Sequence, residues 1–165
     1  MTTFRAFLSL ATVLLTTGAA AAQVALDRFG YLVTGQNGTA GEFCHVFDCT
    51  PRALAVVAGE TLTLRVNAPF QSFFAIGASF SAPNCAPIPG FANALVLDLP
   101  IVVLAFGAVS QQSPILSCWD GTHQVPLVIP AGAPQGASFA SQAIADLQGP
   151  TPGLAFSVAV VATVQ

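Results

Sequence analysis

The chain contains no lysine, and its basic residues are only Arg5, Arg28, Arg52 and Arg65. Nucleic acid is bound by a basic stripe that releases counterions, so that partner class is excluded. Polybasic attachment to anionic lipid is excluded on the same ground. Charged residues make up 7 % of the chain, against about 25 % in an ordinary soluble domain. Its surface must therefore be built from Ser, Thr, Gln, Asn, Gly and Ala. A domain with so little charge repulsion is prone to associate with itself or with a neighbour. With one Trp and one Tyr, the aromatic girdles of a membrane β-barrel are missing. After residue 22 the longest apolar run is 91–109, and Asn93, Asp98 and Pro100 interrupt it. That run suits two strands better than a spanning helix.

What is present begins with a leader. Arg5 is the only charge before Asp27, residues 6–16 form a short apolar run, and the stretch ends in Ala19-Ala20-Ala21-Ala22. A basic start, a short apolar middle and an Ala-x-Ala end describe a secretory signal peptide. Residues 1–22 are expected to be that peptide, and residues 23–165 a single β-sandwich domain. Past the leader, three arginines face seven acids, so the domain is mildly acidic.

The rest of the chain reads as strands punctuated by Gly and Pro, and no segment holds a 3.6-residue period over a helical length. Leu62, Leu64 and Val66 alternate with Thr61, Thr63 and Arg65. Val125, Leu127 and Ile129 alternate with Gln124, Pro126 and Val128, and residues 154–164 read as one strand with Leu154, Phe156, Val158, Val160, Ala162 and Val164 on one face. Residues 138–147 resist parity, which a bulge or burial on both faces would explain. Residues 35–41 read as a loop by composition. The Asp-Gly pair in Trp119-Asp120-Gly121-Thr122 is a hairpin signal. Turn signals every eight to twelve residues or so mark a sandwich or barrel. The expected fold is all-β, an antiparallel β-sandwich of jelly-roll type.

Four cysteines in an exported chain are expected to form disulfides. Three pairings exist. Locality favours Cys44–Cys49, which leaves Cys85–Cys118. Cys44, His45, Cys49 and His123 supply zinc-ligand types, but the spacing does not repeat as zinc sites do. His45, Asp48, Asp98, Asp120 and His123 are the candidate acid–base groups near loops. Asp98 is better explained by a strand end and Asp120 by a turn. No Gly-x-Ser-x-Gly sequence is present, and no metal site or cofactor is implied. If Cys85 is bridged to Cys118, the Pro-rich segment 82–90 and the segment 119–123 come together. Asn84, Phe91, Trp119, Asp120 and His123 would then form an aromatic and polar mixture suited to a glycan or a protein edge.

Ile129-Pro130, Gly136, Phe139, Gln142, Asp146, Leu154 and Ser157 with a Val-rich last strand resemble the closing half of an uncharacterised secreted β-sandwich module of planctomycete-type bacterial proteins. Pro51, Leu54, Gly59, Leu62-Thr63-Leu64 and residues 73–79, followed by a Cys in a Pro-rich loop, look like its first half. The resemblance spans residues 41–164 and departs at Cys118 and Gln135. It implies a sandwich fold and a secreted location, and no activity. The expected function is a non-enzymatic extracellular module, structural, adhesive or protein-binding. A carbohydrate-binding module is the alternative, and a secreted hydrolase using Asp98, Asp120 or His123 is a further one.

Overall fold

The structure is a computed structural model that describes residues 29–45, 49–82, 85–112, 119–148 and 153–165, with only the backbone of Phe29 and His45. The expected leader lies outside the described residues. Among those described there are thirteen strands and no helix. They are β1 (Phe29–Gly35), β2 (Gly38–His45), β3 (Arg52–Val56), β4 (Thr61–Ala68), β5 (Phe73–Ser79), β6 (Ala86–Pro87) and β7 (Ala94–Leu95). Then follow β8 (Val102–Ala108), β9 (Gln111–Gln112), β10 (Gly121–Val128), β11 (Ser138–Asp146), β12 (Leu154–Phe156) and β13 (Val160–Val164). One sheet runs β2-β1-β4-β10-β9, the other β3-β13-β11-β5-β8, with β12 beside β11. The two pack as the expected sandwich. One pairing departs from an all-antiparallel reading, because β13 lies parallel to β3.

Alternation in the sequence becomes one buried face per strand. Leu62, Leu64 and Val66 on β4 are fully buried, as are Tyr31 and Val33 on β1. From the other sheet they meet Leu54, Val56, Phe74, Ile76, Ala143, Val160 and Ala162. Each large aliphatic side chain so buried contributes about 1.5–3 kcal/mol. The phenol of Tyr31 crosses between the sheets and donates to Ser141 Oγ at 2.9 Å. Burial pushes its pKa far above the usual 10.0, against a smaller lowering by the Ser141 bond. The raised group holds its proton in the folded state while the unfolded chain releases it. Stability is therefore complete below about pH 10 and falls as pH rises beyond it. Tyr31 is the only tyrosine. In an alkaline titration its phenolate absorbance should appear only as the sheet circular dichroism is lost. Ionisation at the usual value with the sheet signal intact would contradict this.

Several local readings change. Residues 35–41 are mostly strand: Gly35 pairs with Gly38 across a two-residue turn, and Ala40 and Gly41 pair with Val33 and Leu32. Gly41 is there because β1 passes too close for a Cβ. The Asp120-Gly121 pair is not a hairpin tip. Gly121 opens β10, and Asp120 Oδ1 accepts the Phe70 N–H at 3.0 Å. The last strand is broken at Ser157–Ala159, so β12 and β13 pair with successive parts of β11. Across the gap, Ser157 Oγ accepts from the Ala143 N–H and donates to the Val158 carbonyl.

The strand that resisted parity, β11, is buried on both faces. Ser141, Ala143 and Ala145 face the other sheet, and Gln142 faces outward beneath the segment carrying Ala94 and Val96. Gln142 is 2 % exposed. Its Oε1 accepts from Val96 N–H, and its Nε2 donates to the carbonyls of Ala94 and Ser157. One polar side chain thus ties a third layer to the sheet.

The disulfide expectation is corrected. Cys49 is bonded to Cys85, and Cys44 is also oxidised, so Cys44–Cys49 and Cys85–Cys118 do not form. Cys118 lies outside the described residues. The physical reason is topological. Cys44 sits at the end of β2 in one sheet, and β3 begins in the other, so the chain changes sheets between them. Cys49 travels with the crossover toward the Pro-rich loop. The Arg52–Glu42 ion pair, with Nε to Oε1 at 3.0 Å, links the two sheets at this edge.

Candidate functional site

The expected binding residues take separate structural positions. His123 does not lie on a loop. It stands on β10 opposite Val66 of β4 and turns inward, its ring 4.7 Å from that of Phe74, with Nδ1 2.9 Å from Ser110 Oγ. Trp119 is half-buried against the core. Asp120 is held by Phe70, as above. Phe91 stacks on Phe156 at 5.2 Å, and Asn84 lies outside the described residues. The bridge expected to draw the Pro-rich loop to Trp119 does not exist, because Cys85 is committed to Cys49. Asp98 is occupied locally, accepting from Ser81 Oγ and from the Leu99 N–H. Among the described residues no three of His, Cys, Asp and Glu gather as metal ligands. No helix there is long and apolar enough to cross a membrane.

What the fold leaves open is one side of the sandwich. Among the described residues, strand β8 ends its sheet and pairs only with β5, and β10 meets β9 at just Gly121 and Thr122. Among the described residues no strand lies against the outer edge of β8, or of β10 from His123 to Val128. Between these edges is a cavity of about 230 Å³ lined by Ala78, Phe80, Val102, Leu104, Leu127 and Phe139, among others. No charged residue lines it. Its rim is apolar and open to solvent: Phe80 is 82 % exposed, Val128 66 % and Val102 59 %. Leu99 is also exposed. A second cavity of about 150 Å³ lies around Gly77, Leu97, Ile101, Val103 and Phe156. Val103 and, further along β8, Phe106 extend the exposed apolar surface.

Exposed apolar residues normally occur singly, and a contiguous set marks a contact surface. Edge strands are normally guarded by charge, Pro or a bulge. β10 has Pro126, a residue confined in sheets to edges and bulges. β8 has no charge and no Pro, only the register shift opposite Ile76 and Gly77 that leaves Leu104 as the extra residue. The sequence carried a signal for this surface. Val102, Val103, Leu104 and Phe106 place apolar side chains on both parities, which in a strand suits burial on both faces. In an edge strand the same pattern leaves apolar groups in water.

No protein-family model matches the chain, and no curated protein matches it.

Proposed function

We propose that the chain is a secreted, non-enzymatic β-sandwich module with a structural or adhesive role, working by surface contact through its open side. The observation that carries this reading is the uncharged apolar groove between β8 and β10 with its exposed rim of Phe80, Val102 and Val128. The tripartite pattern of residues 1–22 and the oxidised cysteines support export. The occupant is a second copy of this chain. Bringing two such edges together about a two-fold axis opposes no like charges, since neither β8 nor the groove holds any. It also gives the unpaired backbone groups of β8 the partners that only another strand supplies in register. The chain's low charge removes the long-range repulsion that keeps ordinary domains apart.

Light scattering across a concentration series tests this. The wild-type mass should climb from monomer to dimer, whereas Val102→Lys combined with Phe80→Ser should remain monomeric. Both side chains are largely exposed, so the variant should keep wild-type circular dichroism and lose about 0.5 kcal/mol of stability or less. A wild type that stays monomeric throughout, or a variant that dimerises equally well, would overturn the reading.

A further inference from the structure

The face of the five-stranded sheet turned away from the core has a different chemistry. Thr61, Thr63, Arg65 and Asn67 project outward from β4, opposite in phase to the buried Leu62, Leu64 and Val66. The register puts Thr34 and Pro126 either side of Thr63, Leu32 and Gln124 either side of Arg65, and Gly30 and Thr122 either side of Asn67. Around this one cation Thr34, Thr63 and Gln124 are open to solvent, while Gly30, Leu32, Asn67 and Thr122 are buried beneath their neighbours.

That cation is held in a fixed pose. Arg65 Nε donates to Asn67 Oδ1 at 3.1 Å and to Thr122 Oγ1 at 3.0 Å. Its guanidinium carbon lies 5.2 Å from the centre of the Phe43 ring. Both anchors are buried, Asn67 completely. Asn67 turns its oxygen to the arginine, and its Nδ2 is buried without a hydrogen-bond partner. An unsatisfied buried amide is destabilising, so the pose of Arg65 is kept at the expense of the fold. The Nε edge is fully used, and the terminal Nη1 and Nη2 have no partner among the described residues. Arg52, by contrast, is paired with Glu42. No described carboxylate reaches Arg65.

We infer that this face binds a uronic-acid-containing saccharide. The two free Nη groups take the sugar carboxylate in a bidentate pair, the geometry for which a guanidinium is suited. Gln124 and Thr34 are exposed and Thr63 half-exposed, in position to meet sugar hydroxyls. Phe43, 44 % exposed, offers a ring for the apolar face of a pyranose. This site lies apart from the apolar groove and does not depend on it. The shared chemistry is a carboxylate, which an acidic peptide also supplies. The uncharged hydroxyl and amide surroundings favour the sugar.

Calorimetric titration with oligogalacturonate, with its methyl ester and with a glutamate-rich peptide tests the assignment. Oligogalacturonate should bind and the ester should bind at least about tenfold more weakly, the scale of one hydrogen-bonded charge pair. Arg65→Gln should reduce affinity for the acid to that of the ester. Gln124→Ala, an exposed change that leaves the anchors of Arg65 in place, should weaken the acidic sugar several-fold and keep its preference over the ester. This variant carries the test if Arg65→Gln does not fold. Absence of binding, equal binding of acid and ester, or affinity unchanged in a folded Arg65→Gln would overturn the inference. Peptide binding as tight as that of the sugar would show that the site reads a bare carboxylate, and the saccharide assignment would fall.

Discussion

Gln142→Leu is expected to destabilise the protein by about 3–5 kcal/mol, a large part of the about 5–15 kcal/mol that holds a typical domain together. The leucine fills nearly the same volume, so the loss does not come from a cavity. It comes from the Val96 N–H and the carbonyls of Ala94 and Ser157, which lose their shared partner inside the protein. Leaving a buried group unsatisfied costs about 1–3 kcal/mol, and three groups are affected at once. The carbonyls can recover part of this through their second lone pairs, which places the expectation below the full sum. Urea unfolding should show a lower midpoint with little change in slope. Gln124→Leu makes the same chemical change on the exposed face of β10 and should shift the midpoint hardly at all. Equal midpoints for the two variants would mean that Gln142 does not tie the outer layer down.

Gly41→Ala should be comparably severe, at about 3–5 kcal/mol, and for a different reason. Gly41 has φ of +106° and sits opposite Leu32. A Cβ there would overlap the Tyr31 carbonyl oxygen and lie 3.0 Å from Leu32 Cα. Both neighbours are backbone of a strand locked into its sheet, so neither can yield cheaply. Gly38 provides the control. Its φ is +129°, yet a Cβ would meet nothing within 4 Å. Gly38→Ala should therefore cost only the backbone term, about 1–2 kcal/mol. The difference between the two unfolding midpoints measures the overlap itself. If the two alanines cost the same, β1 and β2 do not approach as closely as described.

These two positions also show what sequence reveals and what it hides. A strand with one wet face announces itself, and β4 was legible residue by residue because Leu62, Leu64 and Val66 alternate with Thr and Arg. β11 was not, because periodicity reports the contrast between faces and both of its faces are buried. The glutamine in its middle was the one visible sign that something polar had to cover it. Residues 35–41 looked like loop because glycine usually marks a turn, whereas Gly41 serves a close passage between paired strands. The disulfide went wrong through sequence locality. Locality points to one loop for Cys44 and Cys49, with only four residues between them, and no pattern in the chain shows that it changes sheets there. The Trp119–His123 grouping rested on that bridge. The groove was hidden for a related reason: the apolar residues of β8 are read from sequence without knowledge of the strand's place in the sheet. The outward phase of Arg65 was plain, but the lack of any acid beside it among the described residues is a fact of three dimensions.

The parallel pairing of β13 with β3 reaches beyond stability. Val160 lies opposite Arg52 and Val164 opposite Val56, with β11 on the other flank. β13 thus lies between two strands that do not pair with each other. Until β13 is in place, β3 and β11 have no way to join, and the six-stranded sheet stays in two pieces. Loop closure over such a span is slow, and contacts of this kind set the pace of folding. Docking of β13 is therefore the step that closes the architecture, and losing its pairing would detach β3 from the other strands of the sheet.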